Sequence, residues 1–489
     1  MTILSADSVS TDRRARDLAP LCVAAATYLL LLFSGDRLLH DPDTLWQIKV
    51  GQWILDHGTV PHTDIYSFTR HGEVWLSTSW LSQVLFAAVH AQWGWTGPVV
   101  LSSLAIASAS AIFFSSLNKH LPKVYALLFA MLAIVLAAPH LLARPHVLAL
   151  PIMVAWASGL MAAADRSKAP SPLLLPLMVL WANLHGGFVL GLALTGAIGL
   201  EALESAAPER RIALALRWAA FGLAALAATC CTPYGWDSLL ASARIINLGE
   251  SFKYIAEWRS ADFSHISMFA AALLGLVALA FVRGRKLSAP RILLILVMVW
   301  MALSHIRSIE TFAIMVPLAL AKPLGSLLTP AASERVRLVR AGWSPATVLA
   351  ALALALAASV STSVDATRHP FSFSTVQTPV AAVDLLVARK AERVFNSYGF
   401  GAYLIARDVK PFVDGRSELY GEKFLVDFFA AEDARDVAGL LRILDDYRID
   451  ATLLTANSPA AQVLDHIKGW KRLHADDIAV VHVRDDEAP

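Results

Sequence analysis

Long apolar runs separated by short polar breaks fill the chain up to residue 364, and the pattern changes after it. The spacing predicts about eleven membrane spans, near 19–39, 97–117, 124–142, 147–164, 172–184, 187–205, 212–231, 265–282, 289–305, 309–327 and 344–362. The run at 172–184 is short for a full crossing. Residues 78–95 are also apolar but read as an interfacial helix, and charge decides this. With the N-terminus in the cytoplasm and 78–95 left out of the membrane, the basic clusters all fall in cytoplasmic loops. They are Arg13/Arg14/Arg16, Lys119/Lys123, Arg166/Lys168, Arg210/Arg211, Arg283/Arg285/Lys286 and Arg335/Arg337/Arg340. A crossing at 78–95 would invert every later loop.

This orientation gathers the polar breaks at the outer face. They comprise residues 40–80, ARPH at 143–146, NLHGG at 183–187, the loop 232–264 and HIRSIE at 305–310. Residues 1–364 therefore read as a transmembrane domain with an outer loop, 40–96, that carries interfacial helices. The stretch 365–489 is mixed and charged. Four segments there carry short β-type runs: VFNSYGFGAYLI, KPFVDGRSELYG, DYRIDATLLT and DIAVVHVRD. Helix-like stretches at 379–390, 431–446 and 458–468 alternate with them. This reads as a small periplasmic α/β domain. The fold class is thus a polytopic α-helical membrane protein with a C-terminal α/β domain.

Within the outer loop, Trp46, Val50, Trp53 and Ile54 recur at helical spacing, with Gln47, Lys49 and Asp56 on other faces. Gly58, Pro61 and His62 end that helix, and Asp64 follows in a loop. Just before it stand two acids, Asp41 and Asp43, separated by Pro42. Carboxylates where an apolar segment meets water are costly to desolvate, and desolvation raises their basicity. One reading makes them helix caps, since Asp is a favoured N-cap. The other makes one a general base and the second its orienting partner or a metal ligand.

Composition agrees with the membrane reading: 56% of residues are hydrophobic and 16% charged, against roughly a quarter charged in soluble proteins. The net charge of +2 gives no case for nucleic acid. Cys22, Cys230 and Cys231 all lie in apolar segments, which argues against a disulfide framework. The first apolar run is long and is followed by Gly35-Asp36-Arg37, a poor cleavage site, so it reads as a span.

Further candidates sit at the ends of spans. Arg144 and Arg307 read as phosphate-binding forks, with His146 and His305 nearby as donors. The plainer alternative is a membrane-edge arginine whose head reaches the lipid head groups. Lys253 and Arg259 are weaker candidates for the same task. Asn183 and His185 stand at a Gly-Gly break and read as cavity residues. Tyr234 lies in the turn Thr232-Pro233-Tyr234-Gly235. Glu257, beside Trp258, has the chemistry to contact a sugar. A hard divalent ion, Mg²⁺ or Mn²⁺, suits Asp41 and Asp43 better than zinc does. The spacing of His40, His57, His62 and Asp64 matches no tight zinc pattern. The chain has no phosphate loop, nucleophile elbow or HExxH.

The acidic pair after the first span, the interfacial outer loop and the terminal α/β domain together resemble the GT-C class of integral-membrane glycosyltransferases. The wording DPDTLWQIKVGQWILDHGTVPHTDIYSF, WANLHGGF, TPYG and HIRSIETFAI resembles a bacterial branch of that class. The resemblance implies a sugar donor on polyprenyl phosphate and an acid of the first loop, Asp43 or Asp41, as base or metal-side residue. The implied acceptor is a cell-envelope glycan, lipid or protein, and the implied setting is the bacterial inner membrane. The competing functions are a transporter or flippase of lipid-linked glycans and a non-catalytic envelope assembly protein. Transport would favour acids at mid-span, and the spans hold almost none.

Overall fold

The computed structural model describes residues 17–244, 249–251, 253–281, 287–328 and 370–485, with a few positions between 357 and 364. The first helix, α1 (Ala19–Phe33), runs into a 3-10 turn, Gly35–Leu39, and then α2 (Asp43–His57). A loop leads to α3 (Trp80–Trp93), and α4 (Thr96–Leu117) and α5 (Lys123–Ala137) follow. Next are α6 (Pro145–Ala164), α7 (Leu175–Leu184), α8 (Phe188–Glu204), α9 (Pro208–Thr229) and the short α10 (Asp237–Arg244). The bundle closes with α11 (Met268–Ala280), α12 (Ala289–Ser304) and α13 (Ile309–Leu328).

Helix α6 forms the centre. It is apolar on every side, and its buried residues cover its whole circumference, as a helix surrounded by helices requires. Pro145 opens it at a position where no amide donor is needed. Large apolar side chains such as Leu128 and Met131 of α5, Leu274 of α11 and Leu293 and Trp300 of α12 stay exposed on the outside. A bundle dissolved in lipid has this inverted surface.

Every apolar run read as a span before residue 330 is helical. By length and composition, five of the described helices can cross a membrane: Thr96–Leu117, Lys123–His140, Pro145–Ala164, Pro208–Thr229 and Ile306–Leu328. Ala19–Phe33, Pro172–Leu184, Met268–Ala280 and Ala289–Ser304 are shorter apolar helices. The run expected at 344–362 lies largely outside the described residues, as do the basic clusters at 13–16, 283–286 and 335–340.

Helices α2 and α3 lie unusually close. Gly51 of α2 touches the backbone of Gln83, and a β-carbon there would collide with its carbonyl. Gln47, expected on a polar face, is instead buried in this seam. Its side-chain oxygen accepts from Gln83 Nε2 (2.8 Å), and Gln83 Oε1 accepts from Ser77 Oγ (2.6 Å). The N-terminus of α2 is tied to the bundle by Thr44, whose hydroxyl donates to the Ala143 carbonyl (3.0 Å).

The C-terminal domain carries α14 (Val380–Ala388), β1 (Val394–Asn396), α15 (Gly401–Ala406), α16 (Ser417–Glu432) and α17 (Val437–Asp446). After these come β2 (Ala451–Thr455), α18 (Pro459–Leu464), β3 (Trp470–Ala475) and β4 (Ala479–Arg484). The sheet order is β1-β2-β4-β3, with β1 parallel to β2 and the other pairs antiparallel. Two expected β-type runs are mostly not strand. Within VFNSYGFGAYLI only Val394–Asn396 is a strand. Phe400 and Leu404 bury in the domain core while Ala402 and Ile405 bury against α2, so a helix buried on two sides imitates a strand's apolar density. KPFVDGRSELYG gives an isolated bridge from Pro411 to Val394 and then the start of α16.

The domain docks on the outer loop through a dry contact. Arg416, with no side-chain exposure, bonds Asp414 through Nη2 (2.6 Å) and Nε (2.8 Å) and Asp64 through Nη1 (2.6 Å). Its guanidinium lies 4.7 Å over the Trp75 ring. Tyr420 donates to Asp414 (2.7 Å), and Asp64 also accepts from the Ser67 hydroxyl (2.5 Å) and amide (3.1 Å). A buried charge group survives only when every member is satisfied, and these are. Around it, Thr69 donates to the Phe412 carbonyl (2.6 Å) and Trp75 Nε1 to Glu418 (3.2 Å).

Candidate functional site

Arg144 organises the site. It precedes Pro145, which holds it in an extended conformation (φ −125°, ψ 160°) at the mouth of α6. Its side chain meets three carboxylates. Nη1 donates to Asp41 Oδ2 (2.9 Å) and also to Glu257, while Nη2 donates to Asp43 Oδ2 (2.7 Å). Asp41 also receives the Asp43 amide on Oδ1 (2.8 Å), which ties it to the first turn of α2 while it faces Arg144. Asp43 Oδ1 accepts from Trp46 Nε1 (3.1 Å). Pro42 holds the N-cap position of α2, so neither acid occupies it: Asp41 accepts the first helical amide, and Asp43 is the first residue of the helix.

Glu257 links this group to a second arginine. Arg307 Nη1 lies 3.5 Å from Glu257 Oε2, and its guanidinium sits 4.6 Å over the Trp258 ring. His305 fixes that loop by a hydrogen bond from Nδ1 to the Trp258 carbonyl (2.9 Å). Glu257 is held in place from the other side as well. Tyr254, three residues before it, stacks on Phe429 of α16 at 5.0 Å and accepts from Arg435 (3.0 Å).

The electrostatics separate the acids. Burial pushes the Asp43 carboxyl up and Arg144 opposes it. The carboxylates of Asp41 and Glu257 add to the rise, and the group settles at about 7. Burial raises Glu257 too, but the guanidiniums of Arg144 and Arg307 outweigh it and hold it at about 2. One acid is permanently charged and its neighbour is poised near neutrality, a separation typical of acid–base sites.

The other sequence candidates are distributed around this centre. His146 donates to the His140 carbonyl (2.8 Å), lies 3.7 Å from Glu310, and has its ring 6.3 Å from that of His185. His185 accepts the Gly187 amide (3.0 Å). Asn183 bridges Trp80 Nε1 (2.8 Å) and the Cys231 carbonyl (2.9 Å), so it acts as a brace between elements. Tyr234 is also a brace: its hydroxyl donates to the Pro61 carbonyl (2.9 Å) and accepts the Ser77 amide (3.2 Å). Lys253 pairs with Glu250 at the surface. The histidines of 40–80 do not converge, and Asp64 belongs to the Arg416 contact. Among the described residues no group of three or more metal-ligating side chains is arranged to hold an ion.

Sequence reasoning missed Glu310, buried behind His146, and the DGR turn, Asp414-Gly415-Arg416. Glu310 looks like an ordinary first-turn acid. The DGR turn reaches Asp43 from the far end of the chain: a β-carbon on Gly415 would lie 2.5 Å from Asp43 Oδ1. An invariant-looking local signal for this does not exist in one sequence.

Neither a protein-family model nor a curated protein sequence matches the chain. A solved structure does. The fold is similar to that of an oligosaccharyltransferase. That protein is the archaeal AglB from Archaeoglobus fulgidus, whose structure is in complex with an inhibitory peptide and a dolichol-phosphate. The match has a TM-score of 0.52 at 12% identity and covers 90% of this chain and 69% of the AglB chain. At that identity the likeness is one of fold. It extends over both the helical bundle and the C-terminal domain.

Proposed function

We propose that the protein is a membrane glycosyltransferase of the GT-C type. It moves a sugar from a polyprenyl-phosphate carrier to a cell-envelope acceptor at the outer face of a bacterial inner membrane. The observation that carries this reading is the convergence of Asp41, Asp43 and Glu257 on Arg144, with Arg307 beside them. The likeness to AglB adds a fold that in that protein is seen with a lipid phosphate and a peptide.

Arg144 is matched by three carboxylates, so its role shifts from gripping phosphate to setting the ionisation of the acids. Among the described residues Arg307 has one longer carboxylate contact, with Glu257, and it is the guanidinium suited to the donor phosphate. Asp43 takes the proton of an acceptor hydroxyl. The freed oxygen attacks the anomeric carbon, the bond from that carbon to the phosphate oxygen breaks, and the electron pair leaves on the phosphate. A single displacement inverts the anomeric configuration. Stabilising charge that develops on the leaving phosphate is where such sites gain most of their rate.

A divalent ion on Asp41 and Asp43 does not fit the arrangement as it stands, because their oxygens are taken by Arg144, Trp46 and the Asp43 amide. No step above passes through a metal. Titrating the purified protein with Mn²⁺ shows whether Arg144 yields the carboxylates to an ion.

The bundle's other buried charges argue against transport. Arg291 bonds Glu201 (2.6 Å) and Asp165 (3.3 Å) at the end of the helices opposite Arg144. Charged clusters cap the two ends, and the mid-helix coupling site expected of a carrier is not among the described residues. The test is mass spectrometry of envelope glycans with and without the protein. Loss of a defined sugar, with accumulation of its lipid-linked form, supports transfer. An unchanged glycan profile overturns it.

A further inference from the structure

Two guanidiniums meet three carboxylates at this site. Arg144 touches Asp41, Asp43 and Glu257, and Arg307 touches Glu257. The donor brings a further anion, its phosphate. Each guanidinium already faces a carboxylate, so an incoming phosphate meets like charge unless one carboxylate gives way.

The three acids are held differently. Asp41 accepts the Asp43 amide (2.8 Å) and Asp43 accepts from Trp46 Nε1 (3.1 Å), so both are tied to α2 as well as to Arg144. Among the described residues Glu257 pairs with Arg144 and Arg307 and accepts no hydrogen bond from any other group. It is also the most exposed of the three, its side chain 30% accessible against 12% for Asp41 and 20% for Asp43. Its backbone is fixed on either side. Tyr254 stacks on Phe429 before it. After it, the Arg259 carbonyl accepts the Ile306 amide (3.0 Å) and the Ala261 amide donates to the Leu303 carbonyl (3.0 Å). The side chain can therefore swing outward about its own bonds while the turn stays in place. Arg307 stays behind, spread over the Trp258 ring.

We infer that Glu257 is a placeholder for the donor phosphate: its carboxylate fills the position beside Arg307 that the phosphate takes, and donor binding turns it out. Arg307 is itself about a third exposed, so that position is reached from the surface. A phosphate offers the fork more oxygens than a carboxylate does, and a neutral lipid offers none, so the exchange selects for the charged carrier. Arg144 keeps its ties to Asp41 and Asp43 throughout. The identity of the ligand rests on the glycosyl-transfer reading, but binding alone tests the exchange.

The probe is farnesyl phosphate, with farnesol as the matched alcohol, titrated calorimetrically into the full chain in neutral detergent. Glu257→Gln keeps the shape and an oxygen for Arg144 and removes the charge. It is expected to bind farnesyl phosphate about tenfold or more tightly than wild type, and farnesol no differently. Adding Arg307→Ala to it is expected to abolish that gain. Glu250→Gln, at a carboxylate of the same loop that pairs with Lys253 on the surface, is the control and should bind as wild type. Unchanged or weaker binding by Glu257→Gln overturns the inference, and so does a gain that survives the loss of Arg307.

A second readout needs no variant: carbodiimide labelling of Glu257 in wild-type protein, with reagent in excess over the ligand, mapped by mass spectrometry. Farnesyl phosphate is expected to speed it severalfold, because the displaced carboxylate has left the guanidiniums that keep it ionised. Farnesol is expected to leave it unchanged. Labelling that farnesyl phosphate slows or leaves alone overturns the inference. Sugar transfer is measured separately. Protein that behaves in this way but transfers no sugar from a polyprenyl-phosphate donor fails the transfer reading alone, and transfer without a gain in Glu257→Gln fails the placeholder alone.

Discussion

Replacing the Asp43 carboxylate by an amide keeps its shape and removes its ability to accept a proton. Asp43→Asn is expected to leave folding intact and to slow sugar transfer by about a hundredfold to ten-thousandfold, the usual cost of a lost general base. Asp41 accepts the first amide of α2 on Oδ1, and the amide oxygen of Asn accepts it as well, so Asp41→Asn should also fold. Its effect lies in pH. Transfer needs ionised Asp43 and should rise with pH through about 7. The Asp41 charge contributes to that raised value, so Asp41→Asn moves the rising limb to lower pH; an unmoved limb in the rate profile would remove the coupling. For Arg307, alanine should raise the donor KM about tenfold or more and lysine less, since a fork gives way to a point charge. Normal donor use by Arg307→Ala would reduce Arg307 to an edge anchor. Asp41, Asp43, Arg144, Glu257 and Arg307 were legible in the sequence because ionisable groups beside apolar runs stand out. Arg416 was not, because its partner Asp64 is 352 residues away and no local pattern joins them.

At the scale of elements, the outer-loop helix α2 was legible from its apolar spacing, and Gly58 ends it in the left-handed conformation (φ 65°) that favours glycine. Its burial was less legible. Gln47 reads as a solvent residue by polarity but lies in the seam with α3, where Gln83 satisfies it. The same seam makes Gly51 sensitive. Gly51→Leu forces a side chain into the Gln83 backbone and is expected to destabilise the protein by about 1–3 kcal/mol, read as a lower thermal midpoint. Because α2 carries Asp43, transfer should fall at temperatures where the fold is still intact. In the C-terminal domain the strands β2 and β4 stood out as continuous apolar runs, while α15 was hidden by being buried on two sides.

Among the described residues the helical bundle and the C-terminal domain meet at a dry charge contact, and the acid response follows from that contact. Burial raises Asp414, but Arg416 and the hydrogen bonds around it outweigh this and hold its carboxyl below the ordinary range. Its ionised form therefore stabilises docking at every pH above the unfolded value, near ~3.9, and the contribution disappears as pH falls through the lowered folded value. Protease resistance of the outer loop should persist down to about pH 4 and fail below it. Resistance that is lost between pH 7 and 5 would contradict this assignment.

The Asp64–Arg416 pair also carries a timing. A chain emerging from the ribosome delivers its N-terminal part first. Asp64 is thus made and placed long before Arg416 exists, and meanwhile its burial has no compensating charge. The outer loop can close on this charge only once residue 416 has been made, and closing so long a loop is slow. A chain that stops short of Arg416 lacks this lock on the loop that leads from α2.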